Sequence, residues 1–102
     1  MPRQMTKEQQ TQHNCFHALI KGRVQRVGYR VFTREAAMRF SITGWVKNLP
    51  NGCVQVFAEG SEIELTEFLT ELYRGPVLSH VQDIELDWQN SEKQHEEFAI
   101  LR

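Results

Sequence analysis

The sequence has few cysteines and no long apolar run. Its two cysteines, Cys15 and Cys53, are too few and too far apart to form a disulfide framework or a four-thiolate zinc site. The longest run of aliphatic and aromatic residues is four, at Phe98–Leu101, whereas a membrane-spanning helix needs about 20. Residues 1–14 lack the apolar stretch of about 7 to 15 residues that a secretory signal requires. The sequence therefore predicts a cytoplasmic protein without a membrane partner.

The chain also has little net charge, but its charges are unevenly distributed. A formal net charge of −1 argues against a dedicated binder of nucleic acid. Residues 21–39 nevertheless contain six basic residues against one acid, a local charge of +5, whereas residues 83–97 contain six acids and one lysine. This asymmetry favours a small anionic ligand over a long polyanion, because a long polyanion would meet both regions.

The 102 residues suit one domain, with residues 1–14 as a flexible polar tail and residues 15–102 as the folded part. Alternating and helical apolar periods, turn residues and a Ser61/Glu64 capping box define the elements. They predict strands over residues 15–21, 42–49, 53–59, 81–88 and 98–101, and helices over residues 29–40 and 61–74. This order, βαββαβ plus a short terminal strand, predicts an α+β protein with a ferredoxin-like split βαβ sandwich. Its antiparallel sheet would carry both helices on one face.

In that arrangement the two cysteines begin neighbouring antiparallel strands. Cys15 and Cys53 then lie at opposite ends of the strand pair, at about 3.3 Å per residue too far apart for a disulfide. Two reduced thiols are therefore expected.

The most informative segment is residues 22–30, GRVQRVGYR, which lies between the first strand and the first helix. The first turn of a helix leaves backbone N–H groups unpaired at the positive end of its dipole, and a curled loop can add more. Such a place binds phosphate or carboxylate groups. Arg30, in the first helical turn, has a planar fork that can hold two oxygens. A loop of plain structural role is the alternative for this spacing.

A second segment, residues 44–52 (GWVKNLPNG), ends the second strand in a hairpin turn. Strands one and two run parallel in the split βαβ arrangement, so their ends lie at the same edge of the sheet. Asn48 and Arg30 are therefore expected to converge. Alternatively, Asn48 forms the turn by bonding its side chain to its own backbone.

Together the two segments resemble those of acylphosphatases, and the resemblance extends from about Cys15 to Arg102. It implies that Arg30 binds the phosphoryl group together with amides of the phosphate loop, which consists of Gln25, Arg26, Val27, Gly28 and Tyr29. It also implies that Asn48 orients the attacking water. The expected substrate is a small acyl phosphate, and the expected protein is a monomer without metal or cofactor.

The implied reaction is chemically coherent with these residues. The leaving group of an acyl phosphate is a carboxylate, which departs without a general acid, and no acid–base pair is evident beside the motif. Positioning and charge stabilisation of a metaphosphate-like transition state then suffice. We expect in-line attack by water, yielding carboxylate and inorganic phosphate without a phosphoenzyme.

Arg26 departs from the family pattern, which usually has glycine at this position. If the position needs a positive φ, arginine strains the loop by about 1 kcal/mol or more. Otherwise Arg26 takes an ordinary conformation and turns outward, or adds a second positive charge that tightens anion binding. These alternatives leave open a catalytically impaired module that binds phosphate or another anion. The family's fold also occurs as a domain of larger carbamoyl-transfer maturation proteins.

The remaining chemistry-bearing residues carry weaker signals. The alternation of His13, Cys15 and His17 is not a known metal-ligand spacing. His95 is expected at the surface, and Tyr29 is expected to pack behind the loop. An RNA-binding α/β domain is a third alternative, for which no stacking aromatics on the sheet are evident.

Overall fold

The computed structural model describes residues 14–90 and 93–102 of the chain. Its strands are β1 Asn14–Arg23, β2 Thr43–Asn48, β3 Val54–Gly60, β4 His80–Asn90 and β5 Phe98–Leu101, and its helices are α1 Tyr29–Arg39 and α2 Glu62–Arg74. The predicted element order is thus confirmed. Asn14, which the sequence pattern places in the tail, is the first residue of β1, and the rest of the predicted tail lies outside the described residues.

The five strands form one sheet in the order β4-β1-β3-β2-β5. β1 pairs antiparallel with β3 and β4, and β3 pairs antiparallel with β2, so β1 and β2 run parallel as predicted. The prediction of a wholly antiparallel sheet is wrong at one edge, because β5 pairs parallel with β2. The physical reason is the path of the chain. The segment before β5 bonds to Glu59, at the end of the sheet where β2 begins, so β5 starts from that same end.

Two strands are longer than their apolar patterns indicate. β1 and β4 pair along their whole lengths, from Asn14 opposite Asn90 to Arg23 opposite His80, with a register shift after Lys21. The backbone hydrogen bonds between β1 and β4 therefore keep the polar residues at the ends of both strands extended. The alternation of apolar and polar residues predicts only the middle of each strand.

The core lies between one face of the sheet and the two helices. The alternate strand residues that face the helices are apolar and buried, as are the inner faces of α1 and α2. Phe68 of α2 lies at the centre, with its ring 6.2 Å from that of Phe16 on β1 and 5.9 Å from that of Phe98 on β5. Both helices thus cover a single face, as predicted, and the loop of residues 24–28 joins β1 to α1 at the edge of this packed scaffold.

Both cysteines are free thiols, Cys15 buried and Cys53 half-buried. Cys15 pairs with Glu59 near the end of β3, whereas Cys53 directly precedes β3, as the predicted strand arrangement requires. No helix among the described residues is long and apolar enough to cross a membrane.

Candidate active site

The loop between β1 and α1 leaves its backbone donors unpaired. Within residues 14–90 and 93–102, no hydrogen bond is donated by the backbone N–H groups of residues 25–30. Arg26 and Gly28 have positive φ, 63° and 78°, whereas Val27 between them does not. Such alternation curls a chain so that successive N–H groups face one concave side, which is the form of an anion-binding nest. The loop thus has the backbone geometry that binding an anion requires.

The start of α1 adds to this positive field. Gly28 is the N-cap residue, it offers no side-chain cap, and the first turn contains no acidic residue. The unpaired N–H groups and the positive end of the helix dipole therefore remain available to a ligand. Arg30 lies in this first turn, half-buried, and its Nη1 donates a long hydrogen bond of 3.4 Å to the carbonyl oxygen of Leu101 at the end of β5.

Gln25 fixes the loop against the β2–β3 hairpin. Its Nε2 donates to the carbonyl oxygens of Leu49 and Cys53, both at 2.8 Å. Because Leu49 directly follows Asn48, this bridge sets the distance between the loop and the end of β2. Gln25 therefore acts behind the cradle through its side chain.

Asn48 is the last residue of β2 and pairs with Val54 of β3. Its Oδ1 is buried, and no donor in the described part of the chain bonds to it. The turn-forming bond is made instead by Asn51, whose Oδ1 accepts from the backbone N–H of Cys53 at 3.0 Å. A buried amide oxygen without a partner is costly, which makes Asn48 the residue of the β2 end whose polar atom the described part of the fold leaves unsatisfied.

Arg30, Asn48 and the loop meet in one small cavity of about 110 Å³. Its lining contains two arginines and no carboxylate; the residues are Val24, Arg26, Gly28, Tyr29, Arg30, Val31 and Asn48. Pockets for drug-sized ligands run from about 300 Å³ upward, so this one suits a small anion with a water molecule. A larger depression of about 660 Å³ lies beside α1 and β5 and carries charges of both signs, from Arg34 and Lys93 to Glu96 and Glu97.

The structure brings the predicted Arg30 and Asn48 together, as the parallel course of β1 and β2 indicates. Of the predicted phosphate loop, Arg26, Gly28 and Tyr29 line the cavity, whereas Gln25 bonds to the hairpin and Val27 packs against the core. The structure also decides between the two conformations considered for Arg26, which is left-handed at φ 63°.

Tyr29 both lines the cavity and packs into the scaffold. Its side chain is buried behind the loop, as predicted, and its hydroxyl donates to the carbonyl oxygen of Leu72 at 2.6 Å. Burial raises the pKa of this phenol well above its usual range. The neutral side chain therefore anchors the start of α1 to α2, and Tyr29 also belongs to the cavity lining.

Sequence reasoning missed a second polar cluster, on the sheet face opposite the helices. The carboxylate of Glu59 is buried, with Oε1 2.9 Å from Nδ1 of His95 and 3.0 Å from its backbone N, and Oε2 2.9 Å from the backbone N of Gln94. His95 lies at the surface with its side chain 34% exposed, as expected, and its ring also contacts the buried Glu59. No local signal marks this cluster, because Glu59 and His95 are 36 residues apart in the chain.

The same face carries aromatic rings that the sequence does not reveal as neighbours. The Phe57 ring lies 4.7 Å from that of His17, 6.1 Å from that of Trp45 and 5.3 Å from that of His95. Phe57 is only 7% exposed, so it does not present the open ring that RNA bases stack on. Among the described residues, no group of three or more His, Cys, Asp and Glu side chains is arranged to hold a metal ion.

Comparisons with known proteins agree with this geometry. The family model described as acylphosphatase matches residues 16–100. A protein named acylphosphatase from Dehalococcoides mccartyi is 42% identical over 88 residues, covering 85% of this chain and 97% of that protein. The crystal structure of acylphosphatase from Bacillus subtilis superposes with a TM-score of 0.85 at 35% identity, covering 87% of this chain and 99% of that one.

A larger protein contains a similar fold. Full-length HypF, in a crystal structure of its phosphate- and nucleotide-bound form, matches 90% of this chain with 12% of its own length, at a TM-score of 0.79 and 25% identity. The family model and the relatives of nearly equal length decide the assignment. The chain belongs to the acylphosphatase family.

Proposed function

We propose that this protein hydrolyses the carboxyl-phosphate bond of small acyl phosphates, giving a carboxylate and inorganic phosphate. The observation that carries the proposal is the meeting of Arg30, the unpaired loop amides and the partnerless Oδ1 of Asn48 in one cavity. Arg30 and the loop amides suit a phosphoryl group, and the neighbouring Oδ1 of Asn48, which has no donor among the described residues, suits an attacking water molecule.

Arg30 and the backbone amides of the phosphate loop bind the phosphoryl oxygens. The guanidinium fork and the N–H groups at the start of α1 place positive charge where negative charge spreads in a metaphosphate-like transition state. Because these donors are fixed by β1, α1 and the Gln25 bridge, little reorganisation is needed during the reaction. This preorganised field is the main source of the proposed catalysis.

Asn48 positions the water. Its Oδ1 accepts one hydrogen bond from the water, which directs the oxygen lone pair at phosphorus in line with the departing acyl oxygen. The new bond joins the water oxygen to phosphorus, and the bond between phosphorus and the acyl oxygen breaks, with its electron pair leaving on the carboxylate. A phosphoryl oxygen takes up the proton lost by the water. Because the water attacks phosphorus directly, no phosphoenzyme is formed.

The leaving group explains why the lining has neither a carboxylic acid nor a histidine. A carboxylate departs without protonation, so the reaction needs no general acid. Arg30 and the amides supply the positive field, and we propose that turnover requires no metal cofactor. We propose that the protein acts as a monomer, and that its two free thiols stay reduced in the cytoplasm.

Hydrolysis of benzoyl phosphate in the presence of EDTA tests the proposal. Wild-type protein is expected to turn over, and Arg30→Ala to lose about 100- to 1,000-fold in kcat, because one preorganised donor to transition-state charge is removed. Arg34→Ala, which deletes an exposed arginine one turn further along α1, is the matched control and should keep its rate. Hydrolysis in ¹⁸O-water should label phosphate and leave benzoate unlabelled. A near-normal rate in Arg30→Ala would contradict the proposed mechanism.

The left-handed conformation of Arg26 favours one alternative, an impaired member of the family that binds phosphate without turning over. A non-glycine residue at φ 63° costs on the order of 1 kcal/mol, and this strain could displace the loop amides. The alternative predicts phosphate binding by an inactive wild type and turnover in Arg26→Gly. Rapid turnover by the wild type excludes it.

A further inference from the structure

Arg26 occupies a position that its backbone disfavours. The phosphate loop has two left-handed residues, and at Gly28 the chain uses glycine, the residue that adopts this conformation without steric cost. At Arg26 it uses a long charged side chain at φ 63°. Strain held in a ligand-binding loop is a reason to ask what the side chain contributes.

The guanidinium of Arg26 has no partner within residues 14–90 and 93–102. Some other cations of the protein are paired there, such as Lys21 with Glu85 at 2.8 Å and Arg39 with Glu71 at 2.9 Å, whereas the exposed Arg34, like Arg26, forms no salt bridge within these residues. Arg26 is exposed and lines the cavity beside Arg30, and no carboxylate belongs to that lining. The cavity therefore carries one positive charge more than the phosphoryl-binding Arg30 supplies.

The charge of Arg26 is placed where it can interact with the acyl part of the substrate. In the proposed reaction the phosphoryl group fills the cavity lined by the start of α1 and Asn48, and a volume of about 110 Å³ leaves little room beyond it. The acyl group must therefore project toward solvent, past the exposed Arg26. A cation at this rim attracts a second anionic group on the same substrate.

We propose that the Arg26 side chain is a specificity determinant, selecting acyl phosphates whose acyl group carries its own anionic substituent. The inference rests on the proposed acylphosphatase function and deepens it by naming the substrate class. The recognised chemistry is a carboxylate or phosphate within reach of the cavity rim.

A matched pair of substrates tests this proposal. Benzoyl phosphate and 4-carboxybenzoyl phosphate differ by one carboxylate, and the ratio of their kcat/KM values cancels effects common to both. Arg26→Gln is expected to lower the preference for the carboxylated substrate about three- to tenfold, the range for one partly screened ion pair. Arg26→Lys should keep most of the preference, and raising the salt concentration should weaken it in the wild type.

Two control variants distinguish the effect of the Arg26 charge from the effect of its backbone strain. Arg26→Gly removes both the charge and the strain, so its substrate ratio should equal that of Arg26→Gln even where its absolute rates differ. Arg34→Gln removes an arginine outside the cavity lining and should keep the wild-type ratio. An unchanged ratio in Arg26→Gln, or a ratio in Arg26→Gly that departs from that of Arg26→Gln, would overturn the proposal.

Binding measurements keep the two proposals distinguishable. The dissociation constants of benzoylmethylphosphonate and its 4-carboxy derivative, which are not hydrolysed, give the same ratio without turnover. If benzoyl phosphate is not hydrolysed while this binding ratio still follows the charge at Arg26, the proposed function fails and the specificity role stands. If hydrolysis is rapid and the binding ratio is the same in wild type and Arg26→Gln, only the specificity role fails.

Discussion

The two helices of this protein begin in opposite ways. α2 starts with a closed cap, in which the Ser61 Oγ accepts from the backbone N–H of Glu64 at 3.2 Å and donates to the Glu64 carboxylate at 2.9 Å. Glu62 adds a second acid to that first turn. α1 starts at Gly28 without a side-chain cap or an acid, and its first turn carries Arg30.

This difference distinguishes a helix start that only stabilises the fold from one that can bind a ligand. Acids and caps satisfy the unpaired N–H groups and the positive dipole end within the protein itself, as at α2. Leaving both unsatisfied, and adding a cation, destabilises the start of α1 unless an anion binds there. A helix start whose residues disfavour its own stability thus indicates the candidate active site more clearly than the size of any depression.

Of the changes made to the two helix starts, the larger effect is expected from giving α1 the residue that closes α2. Val31 is the third residue of α1, equivalent to Glu64 in α2, and it is 47% exposed and lines the cavity. In Val31→Glu the new carboxylate should occupy the cradle, raising the free energy of unfolding by about 0.5 kcal/mol. The same carboxylate should weaken inorganic phosphate binding about tenfold or more. Calorimetric titration and urea unfolding measure the two effects.

The neutral variant Val31→Gln is the control for that experiment. It has nearly the same shape without the charge, so its affinity for phosphate should remain within about threefold of wild type. Equal loss of phosphate affinity in both variants would mean that side-chain size, rather than charge at the start of the helix, governs binding.

A smaller effect is expected from opening the cap of α2. Ser61→Ala should lower the free energy of unfolding by about 1 kcal/mol, because the N–H of Glu64 loses its acceptor, and Ser61→Asp should preserve most of that stability. Turnover should stay unchanged in both variants, since Ser61 lies at the end of β3 and the cavity at its beginning. Reduced kcat in Ser61→Ala at a temperature where it is fully folded would break the proposed separation of roles.

Features that depend on residues close together in the chain could be predicted from the sequence. The Ser61/Glu64 cap is such a feature. The convergence of Arg30 and Asn48, which are distant in the chain, could also be predicted, because it follows from strand order and chain direction alone. The conformation of Arg26 could be narrowed to two alternatives only, because a φ angle depends on how the whole loop closes against the hairpin.

Contacts made by the last segment could not be predicted. The parallel pairing of β5 depends on the bonds from Gln94 and His95 to the buried Glu59, and these join residues on distant parts of the chain. The same pairing brings the Leu101 carbonyl oxygen to Arg30. A four-residue apolar run predicts a strand, but it does not tell which edge of the sheet the strand joins or in which direction it runs.

Asn48→Ala tests most directly whether the cradle binds the phosphoryl group while Asn48 positions the attacking water. The measurement compares kcat for benzoyl phosphate with the dissociation constant for inorganic phosphate in this variant and in wild type. We predict a fall in kcat of about 100-fold with phosphate affinity within about threefold of wild type, because the Oδ1 atom has no role in binding the anion. Near-normal turnover, or a parallel loss of phosphate affinity, would contradict the account.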